Sequence, residues 1–311
     1  MSSDLISEIR AQSKLAISQA ISLIENQWVD GNKLLSKLYK YTGYAYRIGI
    51  TGPPGAGKSC ITDNLIKAFR KKDKTVAVIA IDPTSPFSGG AVLGDRIRMT
   101  MHHSDPNVFV RSMATRGGQG GLAMRAEEVG EIFDAAHFDI VIYETVGVGQ
   151  IELDIIQAAD SVIVILVPES GDEVQMLKAG LMEIGDLFAI NKADRPGANK
   201  LMITLKNLLS TLTFDENNWQ PEVFQTIATE GKGTDVLLKN LLSHQNFNQS
   251  KGIQMRKFQD RYHRCVNSLI NSNIQKIFWN EEKTCLLQSE LQKGQQKQMS
   301  PYSLVSKLLE L

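Results

Sequence analysis

Cysteine is scarce in this chain. Cys60, Cys265 and Cys285 are scattered and odd in number, so they form neither a disulfide framework nor the paired spacing of a zinc site, and they suit a reducing compartment. An excess of one charge is also missing. The 34 Lys plus Arg balance the 34 Asp plus Glu, leaving no net field to draw the chain to nucleic acid or an anionic membrane. No uncharged apolar run approaches the roughly 18 residues of a membrane helix. Residues 1–14 mix charges of both signs with their apolar positions, unlike a secretory leader. Internal repeats are lacking too. These absences predict a cytoplasmic protein without nucleic-acid or membrane partners.

What is present suits one large α/β core with appendages. The chain has 311 residues, 42% of them apolar, enough to bury a substantial interior. Its organising stretch is Gly52-Pro53-Pro54-Gly55-Ala56-Gly57-Lys58-Ser59, a G-x-x-x-x-G-K-[ST] phosphate-binding loop. The apolar run 46–51 before it reads as a buried strand. The run from Cys60 to Arg70 after it carries Ile61, Leu65, Ile66 and Phe69 at helical spacing. Glycines let successive N–H groups turn inward on a polyphosphate, and the helix N-terminus adds partial positive charge. Lys58 is expected to reach the β- and γ-phosphates and Ser59 to ligate Mg²⁺, with Cys60 opening the helix beside them.

Further short apolar runs, 75–81, 108–113, 139–143, 161–167, 187–190 and 223–227, read as strands. Helical patterns separate several of them, at 122–136, about 172–184 and 234–242. That alternation predicts a P-loop NTPase three-layer fold with a mostly parallel sheet covered on both faces. Residues 4–39 read as helices divided by a Gly31-Asn32 turn, and residues 246–260 as a polar linker. The expected organisation is a helical extension over 1–42, a nucleotide-binding domain over 43–248 and a helical segment over 249–311. The stripe Tyr262, Val266, Leu269, Ile270, Ile274, Ile277, Phe278 must be buried either on the core or on a partner subunit.

Asn191-Lys192-Ala193-Asp194 follows the strand at 187–190 and speaks to the base. A carboxylate only accepts hydrogen bonds, so Asp194 matches the ring N–H and exocyclic amino donors of guanine, which adenine does not offer on one edge. Asp82, Asp95 and Glu144 end or follow strands near the expected phosphates and supply hard oxygens for Mg²⁺ beside Ser59. Lys58, Asp95 and Glu144 are the candidate catalytic groups. Glu144-Thr145-Val146-Gly147 reads as a Walker B and switch element, its Gly147 N–H placed to sense a γ-phosphate. Where many GTPases carry a water-orienting Gln after the switch glycine, this chain has Val148, with Gln150 two residues later. Slow unaided hydrolysis is expected. His102-His103 has no cysteine nearby, and a surface or helix role is preferred to nickel binding.

Taken together, GPPGAGKS, AIDPTSPFSGGAVLGDRIRM, RGGQGGLA, ETVGVGQIE, VPESGDEVQMLKAGLMEIGDLFAINKAD and the early AISLIEN resemble the MeaB/ArgK family of P-loop GTPases. The resemblance is close over about 15–245 and looser in the tail ELQKGQQKQMSPYSLVSKLL, where relatives dimerise. It implies a GTP/GDP-binding homodimer that serves a cobalamin-dependent acyl-CoA mutase of the methylmalonyl-CoA mutase type, gating adenosylcobalamin loading and protecting the enzyme. It also implies that Thr226-Ile227-Ala228 forms the last base-contacting loop. Relatives commonly carry Ser where Ile227 stands, which leaves a backbone N–H for that contact. Some relatives bear a different label, a kinase or ATPase of lysine, arginine and ornithine transport, and this is the alternative reading.

Overall fold

The structure is a computed structural model, described over residues 3–26, 28–82, 102, 104–114, 121–145, 157–170, 181–211, 218–294 and 297–311. Seven strands form one sheet: β1 (Tyr46–Thr51), β2 (Val76–Asp82), β3 (Val108–Ala114), β4 (Ile140–Glu144), β5 (Ser161–Leu166), β6 (Leu187–Ile190) and β7 (Glu222–Gln225). Their order is β3-β2-β4-β1-β5-β6-β7 and every pairing is parallel. Parallel neighbours require crossovers that lay helices on the sheet faces. Strands β1, β4, β5 and β6 are accordingly buried along their whole length.

Period-two alternation sorts the strand residues between the faces. In β2, Val76, Val78 and Ala80 join Ile48 and Ile50 of β1 under α4 (Lys58–Arg70) and α8 (Thr234–Ser250). Ala77, Ile79 and Ile81 face the other way, into a core shared with α5 (Gly121–Ala135) and the amino-terminal helices α1 (Ser3–Arg10), α2 (Lys14–Asn26) and α3 (Trp28–Leu38). Helix α7 (Ala198–Ser210) covers Val162, Val164, Phe188 and Ile190. The short α6 (Leu181–Ile184) precedes β6.

The amino-terminal helices are part of the sheet's cover. Asp134 of α5 accepts hydrogen bonds from the N–H groups of Gly43, Tyr44 and Ala45 at 2.9, 2.9 and 3.0 Å, where the chain enters β1. The same carboxylate lies 3.2 Å from the buried Arg47 guanidinium, which also reaches Glu131 at 2.8 Å. Charges this buried are retained by such pairing. It leaves Arg47 holding its proton more firmly than an ordinary arginine: burial opposes the charge, and Glu131 leads the groups that favour it.

Two sequence expectations need correction. Gly31 lies inside α3 rather than in a turn. A Cβ there would meet Ile24 Cα at 3.1 Å, so the glycine allows α2 and α3 to approach closely. A helix break falls elsewhere, at residues 11–13, where Gln12 takes φ 58°. Residues 246–260 are not a linker either. Helix α8 runs to Ser250, and after Lys251-Gly252 the chain continues as α9 (Ile253–Phe278). Polar residues of this stretch are spent internally: Asn248 is buried and donates to Asp160 O at 3.2 Å, and Lys257 donates to the same oxygen at 2.7 Å.

The chain divides into two compact units, Met1–Phe258 and Gln259–Leu311. The second holds the remainder of α9, then α10 (Glu281–Leu291) and α11 (Pro301–Glu310). Asn280 and Ser300 cap the last two, their side chains accepting from the N–H groups of Lys283 and Ser303. Among the described residues no helix is long and apolar enough to cross a membrane.

Candidate functional site

The motifs converge at the carboxyl ends of the strands, where open parallel sheets hold ligands. The phosphate loop leaves β1 and enters α4, and three of its glycines take positive φ: Gly52 at 140°, Gly55 at 75° and Gly57 at 90°. Space as well as conformation demands two of them. A Cβ on Gly52 would fall 2.0 Å from Ile165 O, and one on Gly57 would fall 2.3 Å from Asn191 Nδ2. Lys58 is buried and curls back over the loop, donating to Gly52 O at 2.8 Å and Pro53 O at 3.1 Å. Pro54 and Gly55 form the exposed tip, Ala56 is buried beneath it, and Cys60 is half-buried in the first turn of α4.

Ser59 and Glu144 come together as expected, the Ser59 hydroxyl donating to Glu144 Oε1 at 2.5 Å. Both are buried. Next to Glu144, Thr145 fastens β4 to β1 through Ile50 O and the Thr51 hydroxyl, at 3.3 and 3.1 Å. Asp82 closes β2, whose Ala80 is in register with Glu144. Asp95, Gly147, Val148, Gln150 and His103 lie outside the described residues. His102 is buried, its Nε2 2.5 Å from Asp63 Oδ1 of α4, so a surface role does not fit it. Among the described residues no group of three or more His, Cys, Asp or Glu is gathered for a metal.

The side that the sequence assigns to the base centres on Asn191, which follows β6 and is buried. Its Nδ2 donates to Ala56 O at 2.8 Å, and its Oδ1 accepts from the Ala228 N–H at 3.0 Å and the Thr226 hydroxyl at 3.2 Å. One carboxamide thereby joins the phosphate loop to the loop after β7. Lys192 takes φ 56° and turns the chain outward, leaving Asp194 exposed at the rim. Arg195 and Lys232 stand around that carboxylate. Each holds its proton above the ordinary range, mainly through its own partner, Glu169 and Glu230 respectively, with Asp194 adding to both. The N–H groups of Ile227 and Ala228 are committed internally, to Lys232 O at 3.0 Å and to Asn191. Sequence reasoning overlooked Asn64 of α4, whose Nδ2 donates to Ala228 O at 2.8 Å. No motif marks it.

Comparison with known proteins agrees with this geometry. The profile of the family described as methylmalonyl Co-A mutase-associated GTPase MeaB matches residues 17–283. A Pyrococcus abyssi protein whose name proposes GTPase activity is 43% identical over 313 residues, covering 100% of this chain and 96% of its own. The GTPase ArgK of Escherichia coli is 35% identical over 239 residues, covering 75% of this chain and 72% of its own. Among solved structures, one titled LAO/AO transport system kinase superposes with a TM-score of 0.74 at 26% identity, covering 99% of this chain and 96% of its own.

Proposed function

This chain belongs to the family of methylmalonyl Co-A mutase-associated GTPases, and on that premise we propose that it is a GTP-driven, Mg²⁺-dependent chaperone of a cobalamin-dependent acyl-CoA mutase. In this reading it gates loading of adenosylcobalamin and guards the loaded enzyme. The observation that supports the nucleotide part is the bridge made by Asn191, three residues before the exposed, acceptor-only Asp194: it ties the phosphate loop to the loop after β7.

The chain's own groups suit a guanine nucleotide. Lys58 holds two neutral carbonyls, whereas a polyphosphate offers the ammonium full negative charge, so the ammonium exchanges them for the phosphates. The N–H groups of the loop and of the first turn of α4 add to that attraction. Asp194 accepts two donors from guanine; adenine would leave the carboxylate facing its own acceptor. Ser59 Oγ and the Glu144 carboxylate form a compact pair of hard oxygens that fits Mg²⁺. When bound, that ion neutralises charge on the β- and γ-phosphates.

The kinase reading rests on the name of the solved relative. It requires an acceptor hydroxyl beside a general base, whereas the described carboxylate next to the phosphate loop, Glu144, is engaged by Ser59. Single-turnover hydrolysis with and without a cobalamin-dependent acyl-CoA mutase from the same organism tests the proposal. Alone, the protein should turn over GTP at about 10⁻⁴–10⁻² s⁻¹, in the range of GTPases lacking an activating partner, and the mutase should raise that rate. A fast rate indifferent to the mutase would remove the chaperone reading, and phosphate transfer to ornithine or arginine would install the kinase.

A further inference from the structure

The backbone of Ala228 is gripped on both sides of its Cα by two asparagines on different elements. Its N–H donates to Asn191 Oδ1 at 3.0 Å, and its carbonyl accepts from Asn64 Nδ2 at 2.8 Å. Asn191 belongs to the base-binding motif. Asn64 belongs to α4, the helix that begins with Lys58 and Ser59. The carbonyl also accepts from Gly231 N–H at 3.3 Å, so both its lone pairs are used.

On the α4 side the loop after β7 rests on its buried Ala228 methyl, in one core with Ile61 and Leu65, and on the Asn64 hydrogen bond. It is a single 3-10 turn, Ala228–Glu230, closed by a bridge between Ile227 and Lys232. Asn191 and the Thr226 backbone, through Ile190 O at 2.8 Å and the Ala193 N–H at 3.1 Å, tie the start of this loop to β6 rather than to α4. The Asn64 hydrogen bond, on the peptide that follows Ala228, adds the tie to α4. It also sets the loop's distance from the helix that opens the phosphate subsite.

We propose that Asn64 is a positioning residue for base recognition, holding the 226–230 loop in register with the phosphate helix through the Ala228 carbonyl. This rests on the guanine-nucleotide reading above. Asn64 touches no reacting atom; it acts by keeping the two halves of the pocket at one nucleotide's length. Losing it should therefore weaken binding of a molecule that spans both halves and spare one that occupies the phosphate half only.

The test is calorimetric titration of the full chain with GDP, ADP and pyrophosphate, for the native protein, Asn64→Asp and Asn64→Ala. Asn64→Asp is isosteric and turns an acceptor toward Ala228 O; Asn64→Ala removes the group. Both variants should bind GDP about tenfold more weakly, the size of one buried hydrogen bond lost with its acceptor left behind, and keep pyrophosphate affinity within about twofold. The GDP-to-ADP preference should shrink with the GDP affinity. Each comparison is a ratio measured within one protein sample, so a reduced folded fraction cancels. Native protein that binds GDP and ADP equally would overturn the guanine reading itself. Native protein that discriminates, with either variant matching its GDP-to-pyrophosphate ratio, would overturn only the role given to Asn64.

Discussion

His244 Nδ1 lies 2.5 Å from the Ser161 hydroxyl oxygen, both side chains buried at the amino end of β5, opposite the nucleotide site. Ser161 in turn meets the Tyr46 hydroxyl, and His244 Nε2 lies 3.3 Å from Asp186 Oδ1. A ring proton on Nε2 toward Asp186 leaves Nδ1 to accept from Ser161. Trp219 packs against the ring at 4.8 Å and donates to Asp186 O.

Burial, the largest effect, holds His244 below the usual histidine range; Asp186 and Asp160 pull it up, and Lys257 pushes it further down. The unfolded chain therefore binds a proton more readily than the folded one. The contribution of His244 to stability is complete above the unfolded value of about 6.5 and declines as pH falls from there toward the folded value, by at most about 1.4 kcal/mol per unit. Urea unfolding of the native protein and His244→Gln between pH 8 and 5 should show a shallower pH dependence in the variant. Parallel curves would contradict this.

Replacing Asp194 by Asn puts a donor where guanine also has one. GDP binding should fall steeply, by as much as about 10⁴ for a site whose polar match is lost, while xanthosine diphosphate, which presents the complementary edge, should gain. Competition between the two nucleotides measures the switch directly. A variant that kept its GDP preference would place base recognition elsewhere.

The phosphate loop offers a paired comparison. Gly57→Ala sets a Cβ at positive φ and 2.3 Å from Asn191 Nδ2, so it disturbs the bridge to Ala56 as well as the loop. Gly55→Ala sets a Cβ at positive φ with nothing within 4 Å. Backbone strain of about 1–3 kcal/mol should be the whole cost at Gly55 and only the start of it at Gly57. Melting temperatures and GDP affinities should both rank Gly55→Ala above Gly57→Ala.

Ile270, Ile274 and Ile277 recur on one stripe of α9 and are 48%, 58% and 82% exposed in the single chain. A second copy is the expected cover. Sedimentation of the full chain should give a dimer, and Ile274→Glu with Ile277→Glu should shift it to monomer. A native monomer would leave the stripe unexplained.

Legibility in the sequence followed the physics of each signal. The bounds expected for β1 and β6 are those observed, because each is a short, largely apolar run that ends on a motif, the phosphate loop after β1 and Asn191-Lys192-Ala193-Asp194 after β6. The Ser59–Glu144 contact was legible because each residue sits in a motif whose chemistry requires the other nearby. Gly31 misled because a glycine for close helix packing and a glycine for a turn are the same letter. The stretch around His244 and Asn248 misled because buried, hydrogen-bonded polar groups give the same pattern as solvated ones. Asn64 was silent for a simpler reason: its partner is a backbone carbonyl 164 positions away, and no side-chain pattern encodes that.

The Asp134 carboxylate, shared between the entry to β1 and Arg47, bears on how the protein comes apart. Helix α5 and the sheet are stitched at the same atoms, so peeling α5 away would strand the buried Arg47 without either of its carboxylates. Loss of either part therefore drags the other with it. Heat or denaturant should meet this helix and its sheet as one cooperative block, and the strand ends that carry the phosphate loop should be lost with it.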